Sequence, residues 1–370
     1  MKVFVHKYSL ISKSLLNAQE QKKQGARSIS TEQDNVGLAC AEVSPQKNVD
    51  PALRVETQHE KRNASVHEGL LFQIQFPDQS LGFSSLHVHS SLGDESIETF
   101  LHHLKNQGKS YLLKNYSQVI LNATVDARDQ WRKRLKDPKV YSHYTSVSPI
   151  LSRQEVQDVK ARGFERIKIK IGTTEDSLQN IIRHYESIPE AQSLDWICDF
   201  NLSGQIEDLK KANVSKWSSN VYFEDPTSYD SVVWKNLIDL GFKLISDQVE
   251  PQQIINDGVR VSAIAAKPNK VDMLHLLENS EDCKIMVTSN MGEDLDILTS
   301  WYWAQYVQKE MPHKFFGAGF LTQDMYLPNK YIEISKQLFA DQPFISDAKL
   351  DVSTGWGRAS FLKDLQWVEV

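Results

Sequence analysis

The sequence predicts an α/β protein centred on a parallel β/α barrel, and three observations carry that expectation. From about residue 142 onward, short apolar stretches of strand length alternate with stretches of helical periodicity. Eight such strand candidates follow one another: Tyr144–Val147, Arg166–Ile171, Leu194–Phe200, Val221–Glu224, Lys243–Asp247, Ala263–Lys267, Lys284–Thr288 and Lys314–Phe320. Several of them close on a charged residue. Lys170, Asp199, Glu224, Asp247 and Lys267 succeed one another at intervals of 20 to 29 residues, against a barrel period of roughly 30 residues per unit. A doubly wound open sheet is the rival architecture, but no GxGxxG follows an early strand.

Taken in order, residues 2–9 read as a strand and 13–26 as a polar, Gln/Lys-rich loop. Residues 26–31 and 36–43 look like two strands of a meander joined around Asp34-Asn35, both turn formers. Residues 47–93 offer no organising pattern. Residues 94–106 and 108–121 read as helices. A longer helix is expected over 122–135, where Ala123, Val125, Ala127, Trp131 and Leu135 recur near helical spacing before Asp137-Pro138 stops it. Within the barrel the helical patterns include 152–162, 175–187 and 229–240, with Gly163 and Gly241 where C-terminal caps fall. Residues 325–370 run on past the last strand, with one helix expected over 328–339.

Composition narrows the partners. The 370 residues are 40% hydrophobic and 24% charged, within the globular range. A net charge of −6 argues against nucleic acid as the main partner, since phosphate binding needs a basic surface. No apolar run is long enough to cross a bilayer, so no membrane partner is expected. Cys40, Cys198 and Cys283 are odd in number and far apart, which argues against a disulfide scaffold and a zinc knuckle. The N-terminal segment, broken by His6 and Lys7, lacks the continuous apolar stretch of a secretory signal, and the expected setting is cytoplasmic.

The chemistry is concentrated in Glu165-Arg166-Ile167-Lys168-Ile169-Lys170-Ile171-Gly172. Side chains two apart on a strand share a face. Lys168 and Lys170 therefore stand together, each expected to lower the pKa of the other, and a lysine so perturbed is a usable general base. Asp199, Glu224 and Asp247, gathered at one barrel mouth, would repel unless a cation lay between them. An all-oxygen set favours a hard ion: Mg²⁺ first, with Mn²⁺ as a substitute. Asn201, two residues past Asp199, stands where it supports that shell. Each acid alone reads more readily as a turn former or helix cap than as a ligand; the ordered set is what points to a site. His87-Val88-His89 has the spacing of two strand ligands but no acidic or Cys partner nearby, and is read as surface. Gly317-Ala318-Gly319 and Gly355-Trp356-Gly357 read as glycine punctuation, and Trp301, Tyr302 and Trp303 as core.

With Lys-x-Lys, Asp, Glu, Asp and Lys in this order, the chain resembles the enolase superfamily, in its muconate lactonizing enzyme-like branch. Gly37-Leu38-Ala39-Cys40-Ala41-Glu42-Val43-Ser44-Pro45 is similar to that family's Gly-x-Gly-Glu-x-x-Pro segment, and Ala123–Leu135 to the helix leading into its barrel. The resemblance implies a modified TIM-type (β/α)7β barrel over 141–324. It also implies an α+β capping domain over 1–140, rejoined by the C-terminal segment 325–370. It assigns Lys170 as the catalytic base, Lys168 as its neighbour, Lys267 as the opposing lysine, and Asp199, Glu224 and Asp247 as Mg²⁺ ligands. Asn201, Ser289, Asn290, Gly317 and Arg27 would face a small-molecule carboxylate substrate. Within the branch the chain is most similar to the o-succinylbenzoate synthase family, lyases of menaquinone biosynthesis. That implies syn elimination of water from a succinyl-hydroxycyclohexadiene carboxylate through a metal-stabilised enediolate. Two departures stand out: Gln248 follows Asp247 where the family often has Glu, and Thr288-Ser289-Asn290-Met291-Gly292-Glu293 matches the family's serine-rich turn only loosely. Lysines on both faces also suit an N-acylamino acid racemase or a dipeptide epimerase, although residues 319–324 lack the epimerases' Asp-x-Asp. A barrel without chemistry, which would bind no ion, is the third alternative.

Overall fold

A computed structural model describes residues 1–13, 65–89, 93–146, 148–171, 178–211, 220–280, 283–322, 325–333, 342–345 and 355–370. The meander expected over 26–31 and 36–43, the Gly37–Pro45 segment and Arg27 lie outside the described residues, as does most of the helix expected over 328–339.

The first sheet is antiparallel. Strands β1 (Lys2–Ile11), β2 (Val66–Gln75) and β3 (Leu81–Val88) pair in sequence. β2 and β3 form a hairpin whose turn is tied by the Asp78 carboxylate, which accepts from Ser80 N at 3.2 Å and Ser80 Oγ at 2.6 Å. Both strands lie where no pattern could be read. Leu70, Leu71 and Phe72 are consecutive and all buried, so the sheet is covered on both faces and the polar–apolar alternation is lost.

The second sheet is parallel and eight-stranded, in plain sequence order. Its strands are β4 (Tyr144–Ser146), β5 (Arg166–Lys170), β6 (Asp195–Asp199), β7 (Val221–Glu224), β8 (Leu244–Ser246), β9 (Ala263–Ala266), β10 (Ile285–Thr288) and β11 (Phe315–Gly319). The ring is drawn together by a parallel bridge between Ser142 and Ala318, with His143 N donating to Ala318 O at 2.8 Å. All eight expected strands are present, and the architecture is the barrel with an added antiparallel sheet that the sequence predicts. Ile167, Ile169 and Ile171 join the core outside the strands. Lys168 shares its register with Ile197, part of the separate inner cluster of Ile197, Ile245, Ala263, Ala265 and Met286. Capping is conventional. Ser152 and Glu155 form a capping box on the helix Arg153–Ala161, which ends at Gly163, φ +89°.

The expected helix over 122–135 is two helices, Ser117–Ala127 and Gln130–Arg134, broken at Asp129 with φ +51°. Asp126 lies in the last turn before the break. Its buried carboxylate accepts from Phe83 N (3.0 Å), Gly355 N (3.1 Å), Trp356 N (2.8 Å) and Trp131 Nε1 (3.2 Å). Those bonds hold β3, the second helix and the C-terminal segment to one point. Trp356 is buried and donates from Nε1 to Phe83 O. The chain then returns to the first sheet, where β12 (Val368–Glu369) pairs antiparallel with β1.

Asp126→Ala strands three backbone N–H groups and an indole N–H in a dry interior. At ~1–3 kcal/mol per unsatisfied donor, a loss of about 3 kcal/mol or more is expected. It would be read as a lower urea midpoint at unchanged slope; an unshifted midpoint would remove Asp126 from this role.

Candidate active site

β5 and β9 are second and sixth in an eight-membered ring and so lie on opposite sides of it. Lys170 ends β5, and Lys267 follows the last residue of β9. Between them β6 ends at Asp199 and β7 at Glu224, while Asp247 follows β8. Lys170, Asp199 and Glu224 share one register row across three strands. The structure therefore brings together all six predicted lysine and acid positions at the C-terminal mouth of the barrel.

Each ammonium meets a carboxylate. Lys170 Nζ lies 2.6 Å from Asp199 Oδ2. Lys168 Nζ lies 3.0 Å from the same oxygen and 2.5 Å from Glu224 Oε1. Lys267 Nζ lies 2.8 Å from Asp247 Oδ2. Burial alone would lower the Lys168 pKa, but Asp199 and Glu224 outweigh it and hold the group well above its ordinary value. Lys267 is likewise depressed by burial and raised further by Asp247. The expectation that Lys168 and Lys170 lower one another is thus corrected for Lys168: the acids stand closer to it than a repulsion argument on one strand allows for. Burial disfavours ionised Asp199, but the two lysines drive its pKa below the carboxylate range. For Glu224, burial combined with Asp199 and Asp247 wins, and its pKa is pushed up to about 7.

A fourth carboxylate, Asp225, was not singled out by the sequence, where Glu-Asp-Pro reads as a helix start. It accepts from Asp247 N at 2.9 Å and Gln248 N at 3.0 Å, and so fixes the tip of β8. Its φ of +44°, on a residue preceding proline, is a conformation that L side chains rarely adopt. Asn201 (φ +47°), Leu202 (φ +62°) and Met291 (φ +53°) are similar, and all four sit in loops at the same mouth. Strained backbone concentrates where side chains must be held against their preferences.

The donor set fits a hard divalent ion. Glu224, Asp225 and Asp247 each place a carboxylate oxygen within 4.8 Å of the other two. Glu224 Oε2 and Asp247 Oδ1 are buried and have no hydrogen-bond partner, the state of ligand atoms awaiting a cation. Four carboxylates face three ammoniums, so the formal charge also favours one.

The remaining predicted positions divide. Asn201 is at the mouth, its N–H on Asp199 Oδ1 at 3.0 Å and its side-chain oxygen accepting from Gln248 Nε2 at 3.3 Å. Ser289 is buried beside Thr322, with Oγ–Oγ1 3.2 Å. Asn290 spends its amide nitrogen on His87 O at 2.7 Å, tying this loop to the first sheet. Gly317 is not with them. A Cβ there would meet Arg166 Nη1, at the opposite end of β5 from Lys170; Gly319 is the glycine at the mouth. A Cβ on Gly319 would meet the buried ring of His143 at 2.0 Å. His143, beside the lysines, also escaped the sequence reading, as a lone histidine before a short strand gives no signal. His87 and His89, read as surface, are buried at 0% and 1% exposure, because the loop after β10 covers β3.

No protein-family model matches the chain. The o-succinylbenzoate synthase of Bdellovibrio bacteriovorus is 23% identical over 324 residues, covering 83% of this chain and 92% of the relative. Among solved structures, the dipeptide epimerase from Enterococcus faecalis V583, complexed with Mg and the dipeptide L-Leu-L-Tyr, superposes with a TM-score of 0.65 at 14% identity, covering 96% of this chain and 98% of that one. The muconate cycloisomerase from Pseudomonas fluorescens gives a TM-score of 0.58 at 14% identity, over 71% of this chain and 85% of the other. The fold is shared with these solved structures. Among the described residues, no helix is long and apolar enough to cross a membrane.

Gly319→Ala must displace the His143 ring and is expected to lower stability by about 1–3 kcal/mol. The double variant Gly319→Ala/His143→Ala should lose less than the two single losses added together. Strict additivity in urea unfolding would show that the ring and the glycine do not meet.

Proposed function

We propose that the chain is an o-succinylbenzoate synthase, which removes water from 2-succinyl-6-hydroxy-2,4-cyclohexadiene-1-carboxylate. The observation that carries the reading is the placement of Lys170 and Lys267 on opposite sides of one mouth, with acids filling the strands between them. The distant relative of that name supports the choice of substrate. Held between Asp199, Glu224 and Asp247, Mg²⁺ would supply positive charge to the substrate carboxylate.

Lys170, as the neutral amine, takes the proton from the carbon bearing that carboxylate. The electron pair left behind spreads into the carboxylate, and the Lys267 ammonium stabilises the resulting enediolate by its charge. Lys170 then returns the proton to the departing hydroxyl as the carbon–oxygen bond breaks. Water leaves, and the ring gains its third double bond. Proton removal and return by one amine on one face gives the syn outcome. Lys168 and Asp199 orient Lys170. Asn201 and Ser289 line the approach; Asn290 positions the loop through β3. The reaction needs a small carboxylate substrate and no macromolecular partner.

A second reading has its own support. Lysines on two faces of a carbanion also suit exchange of configuration, as in an N-acylamino acid racemase or a dipeptide epimerase, and an epimerase is among the structural neighbours. Residues 319–324, without Asp-x-Asp, count against the epimerase.

The test is turnover of the cyclohexadiene carboxylate with and without Mg²⁺, beside polarimetry on an N-acylamino acid. Lys170→Ala should lose at least the ~10²–10⁴-fold that a general base contributes, and Lys267→Ala should also fall. Dehydration that survives Lys170→Ala would end the mechanism. Loss of optical rotation without dehydration would select the racemase.

A further inference from the structure

We propose that His67, His87 and His89 form a second metal site, for a zinc-class divalent transition ion, on the face of the first sheet that meets the barrel mouth. His87 and His89 are two apart and share a face of β3. Gly69 of β2 pairs with His87, which puts His67 on that same face one step along the strand. The rings converge, with centroids 4.8 Å apart for His87–His89, 5.4 Å for His67–His89 and 6.1 Å for His67–His87. Each residue offers a nitrogen within 4.8 Å of those of the other two, and all three side chains are buried.

The hydrogen bonds show which ring nitrogens of His87 and His89 remain for an ion. His89 Nε2 donates to Asn290 O at 2.9 Å, so Nδ1 carries the lone pair; that Nδ1 is buried and has no partner. His87 Nδ1 bonds Tyr8 Oη at 2.9 Å, and its Nε2 is buried without a partner. His67 Nε2 bonds Ser65 Oγ at 2.7 Å. Metal-bound histidines characteristically place their other ring nitrogen on such an outer partner, which sets the tautomer and the ring angle. Gly69 belongs to the same construction. A Cβ there would meet the Tyr8 ring at 2.4 Å, so its absence lets the phenol reach His87. Burial, with the neighbouring histidines and Lys270, holds the His87 pKa well below its usual value and that of His89 at about 3.

Without an ion, two dry ring nitrogens lack partners. An ion would satisfy both. Imidazole donors select Zn²⁺, Cu²⁺, Ni²⁺ or Fe²⁺, whereas the carboxylates across the mouth select Mg²⁺. Three histidines leave a fourth position for a water or an exogenous oxygen ligand.

The test uses the full chain, without an affinity tag, stripped with a chelator and loaded with Zn²⁺ or Co²⁺ under excess Mg²⁺. One zinc per chain should survive dialysis by elemental analysis. X-ray absorption should give a nitrogen shell at ~2.0–2.1 Å with imidazole scattering, and cobalt should give the intense visible bands of a four-coordinate site. His87→Gln and His89→Gln should each weaken zinc by more than 100-fold, Tyr8→Phe by roughly 10–100-fold, and Asp247→Asn not at all. A chain that retains no zinc overturns the proposal. So does an oxygen-only shell, or zinc lost with Asp247→Asn and kept in the histidine variants. If the histidine variants fail to fold, the absorption spectrum of the unsubstituted chain decides.

Discussion

The organising constraint is that charge buried at the barrel mouth must find opposite charge. Removing a carboxylate or an ammonium from water costs several kcal/mol even after relaxation. Lys168, Lys170, Asp199 and Glu224 are all at or below 9% exposure. They are tolerable only together, and only if the strand tips stay in register. Lys170, Asp199 and Glu224 form one row of the sheet, and Asp225 holds the next tip through two backbone bonds. Truncating Lys168 removes the ammonium from Glu224 Oε1 and one of the two ammoniums from Asp199 Oδ2. The register of the sheet and the chemistry of its mouth are therefore one requirement.

The lysine on the far side is placed by different means. Pro268 O, just after Lys267, accepts from Asn122 Nδ2 at 2.9 Å, and the same nitrogen bonds Asn269 Oδ1. Asn269 donates to Asp296 Oδ1 at 2.7 Å, and Trp303 Nε1 donates to Asn122 Oδ1. A helix that precedes the barrel in sequence thus fixes the loop carrying Lys267. The first sheet and its helices do more than cover the mouth: they set the position of one of its charges.

What the sequence discloses follows from which faces are covered. Barrel strands such as Arg166–Lys170 were legible because isoleucines face one side and lysines the other, so a period of two survives. β2 and β3 were illegible because both of their faces are buried. The tie-point at Asp126 was hidden because it looks like any polar position until Phe83, Gly355 and Trp356 come to it from distant parts of the chain. Asp225 and His143 carry no spacing signal; their roles exist only through partners more than twenty residues away or on another strand. His87-Val88-His89 was misjudged for the same reason. Polar residues suggest solvent, and only the fold reveals that Asn290 closes over them.

The two clusters differ in how they handle an unmet valence. At the acids, each ammonium already occupies one carboxylate oxygen, and a second oxygen on Glu224 and on Asp247 remains bare. Coulombic attraction raises the pKa of Lys168 and Lys267, so any cation drawn to those oxygens weakens the hold on the two lysines; ion affinity and lysine basicity are linked through shared partners. Among the described residues, no partner engages His87 Nε2 or His89 Nδ1. Lys270, the nearest cation acting on His89, is itself held by Asp94 at 2.6 Å. Oxygen donors shared with lysines suit an ion that must coexist with proton traffic, whereas neutral nitrogens backed by fixed outer partners suit one that stays. On the two proposals, separate donor chemistries would keep two kinds of ion apart within one fold without relying on affinity alone.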